Sequence, residues 1–233
     1  MSNPMHNVEQ SGTAPWLRRL VAIAVSVLAA GLGYVVLSLP QQAAGLSQIV
    51  QAQLHLSGVT NPVTAVLLNF RGYDTLLEMI VLLLALLGVW TSGEMTTQAE
   101  EATGAVLDAM VRLLVPLLIL VAAYLLWVGA HAPGGAFQAG AVLGAAGVLL
   151  LLTGRRPYLA LPAWLWRLVL IAGPMMFVLI AIITAVLTSH LLQLPPGHAG
   201  LIILALETAA TLSIAVTLTA LFLGGEPPYQ EYQ

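Results

Sequence analysis

The sequence contains no cysteine and no lysine, and it has few charged residues of any kind. The absence of cysteine excludes disulfides, thiolate metal sites and cysteine nucleophiles, and it leaves the redox compartment undetermined. Charged residues make up 7% of the 233 residues, against about 25% in a typical soluble domain. So few charges cannot cover the surface of a soluble protein, and no nucleic-acid partner, metal or other cofactor is expected.

Hydrophobic residues make up 59% of the chain, which predicts an all-α, polytopic membrane protein in the lipid bilayer. About six apolar segments are long enough to span, at residues 20–39, 62–90, 113–128, 135–153, 165–187 and 199–223. The first is longer than the apolar core of a signal peptide, so it is interpreted as an uncleaved helix. Gly173-Pro174 is expected to interrupt the fifth.

The arginines predict how the spans are oriented. An even number of spans separates each group from the next, so the six arginines other than Arg71 fall on one side: Arg18, Arg19, Arg112, Arg155, Arg156 and Arg167. The opposite loops, around 40–61, 129–134 and 188–198, contain no arginine or lysine. The positive-inside rule then predicts that both termini are cytoplasmic.

The longest polar break lies at residues 91–108 and is acidic. It is the best candidate for a domain boundary. We therefore predict a two-helix module at residues 1–95 and a four-helix module at residues 96–233. The plainer interpretation of the charges in this break is a solvated connection.

Residues 69–80, NFRGYDTLLEMI, place Arg71, Asp74 and Glu78 inside the second apolar run. At about 100° per residue, a continuous helix would bring these three side chains, the charged cluster, onto one face. An ionised side chain at the bilayer centre costs about 2.5–3.5 kcal/mol on insertion scales, so the three must pair, face protein or meet water.

Arg71 cannot fully satisfy both carboxylates at once, so one acid would be left for proton or cation exchange. Thr64 and Thr75 are predicted to share the face of the cluster, and Gly72 is a possible break in the helix. The alternative is an inert Arg71–Asp74 pair that holds this helix against a neighbour, with Glu78 capping a group on a partner. Both interpretations stay open at this point.

A second acid, Glu207, lies about 12 Å from the start of the last span at 1.5 Å per residue. Thr211 is one turn further and shares its face. Glu207 is either a neutral, hydrogen-bonded residue or part of an ion path, and the sequence favours neither. Four histidines fall at the ends of spans or in the loops between them: His55, His131, His190 and His198. Histidine exchanges protons near neutral pH, but an interfacial role is the simpler interpretation for all except His131.

His131 differs because it lies in GAHAPGGAFQAG, residues 129–140, a Gly/Pro turn that enters the fourth span with little side-chain bulk. Either a large group packs there or the backbone opens to a cavity. This stretch resembles the His-x-x-Pro-Gly-Gly-Gly-Phe signature of the MnhB/MrpB subunit of Mrp-type multisubunit sodium/proton antiporters. The matching residues are His131, Pro133, Gly134, Gly135, Phe137, Gln138 and Gly140, while Ala136 and Ala139 replace glycines.

Residues 61–88 resemble a second signature, found in the C-terminal part of the MrpA subunit and in a small subunit of membrane-bound hydrogenases. The matching residues are Asn61, Val63, Asn69, Phe70, Arg71, Gly72, Asp74, Thr75, Leu76 and Glu78. Tyr73 keeps an aromatic ring, and Leu77 replaces a glycine. The chain thus resembles a fusion of two neighbouring antiporter modules.

The resemblance implies a non-enzymatic membrane subunit of a cation/proton antiporter in the cell membrane of a bacterium or archaeon. Its implied partners are antiporter subunits related to membrane subunits of complex I, and its implied cargo is Na⁺ and H⁺. The candidate ion-path residues are Arg71, Asp74, Glu78, His131 and Glu207. Alternatives are the same module in a redox-driven complex such as a membrane-bound hydrogenase, or an assembly scaffold without a conduction role.

An intramembrane enzyme is disfavoured by the residues themselves. A rhomboid-like protease needs a buried serine opposite a histidine, but the fourth span has no serine and the histidines lie toward one surface. A haem protein needs paired histidines at depth, and the spans contain none.

Overall fold

The structure is a computed structural model that describes residues 15–39, 45–92, 104–155, 162–188, 191–195 and 197–224. All regular elements in these residues are helical, which confirms the all-α prediction. The α-helices are α1 (Pro15–Ser38), α2 (Ser47–Gln53), α3 (Pro62–Ala65), α4 (Gly72–Ser92), α5 (Ala105–Val128), α6 (Ala136–Leu152), α7 (Ala163–Thr188) and α8 (Ala199–Leu223). A 3-10 turn at Leu54–Leu56 follows α2, and a π-helical turn at Val66–Phe70 follows α3.

Five of these helices, α1, α4, α5, α7 and α8, are long and apolar enough to cross a membrane. The sixth apolar helix, α6, has 17 residues. It is therefore about 25 Å long at 1.5 Å per residue, shorter than the roughly 30 Å hydrocarbon core. The chain is a polytopic membrane protein, as the composition predicts.

The chain divides into two compact units, Met1–Leu46 and Ser47–Gln233. The first contains α1, a 24-residue helix in which no residue is buried. Apart from Arg18 and Arg19 near its start, α1 is apolar around its whole circumference, as expected for a membrane span. All other described helices belong to the second unit. The predicted domain boundary at the acidic break stays a prediction.

Glycines bring α6 close to α8 in the second unit. A Cβ on Gly140 would lie 2.8 Å from Ile214, and a Cβ on Gly144 would lie 3.2 Å from Leu218. Residue numbers increase together along both helices, so α6 and α8 run parallel. The large group that packs against the predicted small-residue stretch is therefore helix α8, since missing side chains allow helices in membranes to approach closely.

Helix α7 is continuous through Gly173-Pro174, so the predicted interruption is wrong. Pro174 has no N–H to donate to the carbonyl of Leu170 four residues earlier. The hydroxyl of Ser213 in α8 donates to this carbonyl instead, at 2.5 Å. Serine side chains on neighbouring helices can satisfy backbone groups freed by proline in this way, which keeps the helix regular.

This replacement predicts that Ser213→Ala destabilises the protein and that Pro174→Ala compensates. Losing the hydroxyl leaves a buried carbonyl unsatisfied, at about 1–3 kcal/mol. Alanine at position 174 restores the N–H, so the double variant should regain much of the loss. The thermal unfolding temperature of the purified protein measures both effects. Equal unfolding temperatures for Ser213→Ala and the double variant would refute the compensation.

Candidate functional site

The turn between α5 and α6, residues 129–135, folds back on the end of α5. The N–H of Gly135 donates to the carbonyl of Leu125 at 2.9 Å, and a Cβ on Gly129 would lie 2.6 Å from the Cα of Gly135. Gly135 has φ 106° and ψ −170°, a backbone region that is essentially restricted to glycine. The glycines of this motif are thus required for the turn that starts α6.

Two side chains at the start of α3 hold this turn in place. Asn61 donates from Nδ2 to the carbonyls of Gly129 at 3.1 Å and Ala132 at 2.9 Å. Thr64 donates from Oγ1 to the same Gly129 carbonyl at 2.6 Å. Asn61 and Thr64 are buried. The two sequence motifs, which are about 70 residues apart, therefore meet in the folded protein.

Backbone groups extend this contact. The N–H groups of Thr60 and Asn61 both donate to the carbonyl of Ala130 at 3.0 Å. The hydroxyl of Thr60 lies 3.0 Å from Nδ1 of His131. His131 is therefore positioned by the first motif, although its ring is exposed.

Asn61 also begins α3, because its Oδ1 accepts from the N–H of Val63 at 3.1 Å and Pro62 takes the first helical position. The Asn-Pro sequence is a recognisable helix-start signal. No local sequence pattern indicates that Asn61 contacts the Gly129 and Ala132 carbonyls, so these contacts could not be predicted from the sequence.

Asn61→Asp should separate these two roles. Aspartate keeps the acceptor that caps α3 but loses both Nδ2 donors and turns a carboxylate toward two carbonyls. We expect a loss of about 1–3 kcal/mol, the usual cost of buried polar groups without partners, measured by thermal unfolding. Asn69→Asp is the matched control, because among the described residues its amide donates to a single carbonyl, that of Ser57, at 3.1 Å. Equal losses in both variants would contradict a special role for Asn61.

The carboxylate of Glu207 lies against the first residues of α6. Glu207 is 3% exposed, and a Cβ on Gly135 would lie 2.7 Å from its Oε1. The carboxylate interacts with the backbone N–H of Ala136. One turn further along α8, the hydroxyl of Thr211 lies 3.5 Å from the Ala136 carbonyl. The predicted shared face of Glu207 and Thr211 is therefore confirmed, and it faces the start of α6.

This position has two opposing effects on the carboxylate. Burial among apolar helices disfavours the charged form. The positive end of the α6 dipole and the free N–H groups of its first turn favour it. A carboxyl held between these influences is suited to bind and release a proton or a small cation.

The charged cluster lies where the predicted second span is broken. The π-helical turn ends at Phe70, and Arg71 has φ −134° and ψ 39°, outside the helical region. Helix α4 then begins at Gly72, the residue suspected of breaking the helix. Arg71 and Asp74 form an ion pair of 2.7 Å between Nη2 and Oδ2, with side chains that are 62% and 41% exposed.

The break also corrects the prediction for Thr64 and Thr75. Both are buried, whereas Arg71 and Glu78 are exposed, so the threonines do not share the face of the cluster. The Thr75 hydroxyl donates to the Leu67 carbonyl at 2.7 Å, across the break. A π-helical turn and a non-helical residue change the rotation that a continuous helix would give.

Glu78 has no ion pair or hydrogen bond to any residue that the structure describes, and its side chain is exposed. The structure therefore joins Arg71 with Asp74 but leaves Glu78 apart, and no described contact links the cluster to Glu207. Of the other histidines, His55 and His198 are exposed, while His190 lies outside the described residues. No group of three or more potential metal ligands occurs in the described ranges.

Part of the acidic break, residues 93–103, lies outside the described residues. Asp108 belongs to α5 and accepts from Arg112 at 2.5 Å and from Arg155 at 2.8 Å. Arg155 follows α6, so these two arginines lie at the same end of the bundle, as the count of spans predicts.

Comparison with solved structures gives two similar folds. One is in the structure of the Mrp complex from Dietzia sp. DQ12-45-1b, with a TM-score of 0.64 and 23% identity over 94% of this chain. This chain spans 27% of the length of that one. The other is in the structure of the membrane-bound sulfane sulfur reductase, an archaeal respiratory membrane complex. That match has a TM-score of 0.59 and 23% identity, and it covers 89% of this chain and 97% of that chain. No match was found among curated proteins.

Two family models match consecutive parts of the sequence. Residues 17–105 match the MbhE family, which describes one of the MBH subunits. Residues 106–223, half of the chain, match the domain related to the MnhB subunit of Na⁺/H⁺ antiporters. The second match includes the turn at 129–135 and Glu207, and the first includes Asn61 and the charged cluster. The chain therefore belongs to the family of domains related to the MnhB subunit of the Na⁺/H⁺ antiporter, and the residues that precede this domain are similar to the MbhE family.

Proposed function

We propose that this chain is an integral membrane subunit of a multisubunit cation/proton antiporter and that it contributes carboxyl groups to the ion path. The observation that carries the proposal is Glu207, a 3% exposed carboxyl inside a span, held against the start of α6. An intramembrane ionisable group of this kind is a functional candidate by default. Family membership supports the same conclusion.

In this proposal Glu207 takes up a proton or a cation and releases it within the bundle. The α6 N-terminus stabilises the empty, charged carboxylate, and the approaching cation or proton neutralises it. Asn61 and Thr64 fix the turn at 129–135 and so fix the distance between α6 and Glu207. Uptake and release would then need only small movements at one contact.

Glu78 is the second proposed exchange group, with Arg71 and Asp74 beside it. Arginine stays charged at any working pH, so Arg71 is assigned an electrostatic role rather than a proton-carrying one. His131 is assigned to the end of the path near the turn, because its exposed ring can exchange protons with water. The partners in this proposal are antiporter subunits related to complex I membrane subunits.

The test is sodium/proton exchange by the purified complex after reconstitution, normalised to the amount of assembled complex. Variants that neutralise Glu78 or Glu207 while keeping their shape should lose exchange. Wild-type exchange by both Glu78→Gln and Glu207→Gln would support the alternative role as an assembly scaffold.

A second candidate function is the same role in a respiratory membrane complex, where redox chemistry drives ion movement. The similarity to the sulfane sulfur reductase complex favours it, because the match covers 97% of that chain. The redox centres would then belong to other subunits. Exchange that occurs without an electron donor distinguishes the antiporter from this alternative.

We also propose the orientation that the arginines predict, with Arg112 and Arg155 in the cytoplasm of a bacterial or archaeal cell. The chain has no cysteine, so single introduced cysteines report sidedness without background. Cysteines at Ser47 and Gly197 should react with impermeant maleimide on intact cells, and a cysteine at Gly104 should not. Reaction at position 104 from outside would reverse the orientation.

A further inference from the structure

Glu78 lies level with the centre of α8, on the side of α4 that faces away from α7 and α8. The next residue, Met79, contacts Gly173 of α7, and a Cβ on Gly173 would lie 3.1 Å from Ser213 and 3.2 Å from Ala210. Ala210 and Ser213 flank the centre of the 25-residue helix α8. Met79 is 1% exposed, whereas Glu78 is exposed, so α4 turns its buried side to α7 and α8 and its acid outward.

The outward side of α4 cannot face lipid as it stands. An ionised group at this depth costs about 2.5–3.5 kcal/mol on insertion scales, and more in simulations. Arg71 and Asp74 neutralise each other at 2.7 Å, which leaves one net negative charge on the cluster. Leu77 and Val81, which flank Glu78, are 59% and 62% exposed, so an apolar surface surrounds an unpaired carboxylate.

No basic side chain in the described part of the chain pairs with this carboxylate, because Arg71 is paired with Asp74. Arg167 is the single basic residue in the described parts of α7 and α8, and it lies about 9 Å along α7 from Gly173 at 1.5 Å per residue. Glu78 makes no ion pair or hydrogen bond with it or with any other described residue. A surface that is apolar around one unpaired negative charge is complementary to an apolar helix with one positive charge.

We propose that the side of α4 formed by Asp74, Leu77, Glu78 and Val81 is an intramembrane docking surface for a transmembrane helix of another subunit, which presents a basic side chain to Glu78. This interface rests on the proposal that the chain is a subunit of a complex, but not on ion exchange. The partner helix covers Leu77 and Val81, and its cation pairs with Glu78 in place of water.

The interface can be mapped in the complex purified from membranes. A photo-crosslinking amino acid at position 77 should link to one transmembrane segment of another subunit, within about one helical turn of a lysine, arginine or histidine. The same amino acid at position 113, where Leu113 is 73% exposed on α5, is the control and should give a different product. Products with lipid, with residues 15–38 of this chain, or with a segment that has no basic residue would overturn the proposal.

Swapping the two charges then tests the ion pair between Glu78 and the partner helix. Glu78→Lys should reduce the amount of assembled complex at least about tenfold, and replacing the mapped basic residue with glutamate should restore it. Glu78→Gln is the milder variant, and its complex should dissociate at lower detergent concentration than the wild type. Normal assembly of the Glu78→Lys complex, together with wild-type detergent resistance of the Glu78→Gln complex, would contradict the proposed ion pair. Ion exchange is scored separately, so a complex with the mapped interface but no exchange would refute the proposed function alone.

Discussion

Glu207→Gln should abolish sodium/proton exchange while leaving the complex assembled. Glutamine has nearly the same shape as glutamate, so packing of α8 against α6 is retained. The amide cannot bind a proton or balance a cation, and removal of a proton-transfer group typically costs about 10²–10⁴-fold in rate. We expect a loss of at least about 100-fold per assembled complex, measured as sodium-driven proton movement in proteoliposomes.

Two further variants make this result specific. Thr208→Val removes a polar group from the next residue, whose hydroxyl donates to the Leu204 carbonyl of its own helix at 2.7 Å and is exposed. Its exchange rate should stay near that of the wild type. Glu207→Asp keeps the charge but withdraws it from Ala136, so its rate should be intermediate. If Glu207→Gln exchanges at the wild-type rate, the acid is structural.

Gly135→Ala should prevent normal assembly. Gly135 has φ 106° and ψ −170°, which costs a residue with a side chain about 1–3 kcal/mol. The added Cβ would also lie 2.7 Å from Oε1 of Glu207. The two effects combined should reduce the amount of assembled complex several-fold and lower its thermal unfolding temperature.

Gly154→Ala is the matched control for the backbone effect. Gly154 has φ 72°, and a Cβ there would have nothing within 4 Å, so the substitution should cause only a modest loss. Adding Glu207→Ala to Gly135→Ala removes the contact but not the backbone strain, so it should recover part of the stability and none of the exchange. A Gly135→Ala complex as stable as the wild type would show that the turn is not as restricted as we describe.

The last helix was predictable from sequence to its ends, and the second apolar run was not. Helix α8 is one apolar run that ends at Leu223, and the next residue, Gly224, has a φ of 72°, which is typical of a helix C-cap. The run at 62–90 is also apolar, but a π-helical turn and the non-helical Arg71 divide it. Hydrophobicity does not distinguish these cases, since both kinds of backbone can be buried between helices.

The sequence was enough to predict which residues belong to the candidate site, but not which residues they contact. Rarity of charge identified the cluster and Glu207, because charged residues are expensive in lipid. The contact of Glu207 with Gly135 and Ala136 joins residues about 70 positions apart, and no local pattern records it. Likewise, Pro174 predicted a break that Ser213, on another helix, prevents.

Ion exchange without redox chemistry would show that this chain works in an antiporter. The complex is purified through a tag on this chain and reconstituted into proteoliposomes with a pH-sensitive dye inside. We predict that an inward sodium gradient drives protons out in the absence of any electron donor or acceptor, and that Glu207→Gln abolishes this movement. Proton movement that begins only when an electron donor is added would contradict the antiporter proposal and assign the chain to a redox-driven complex.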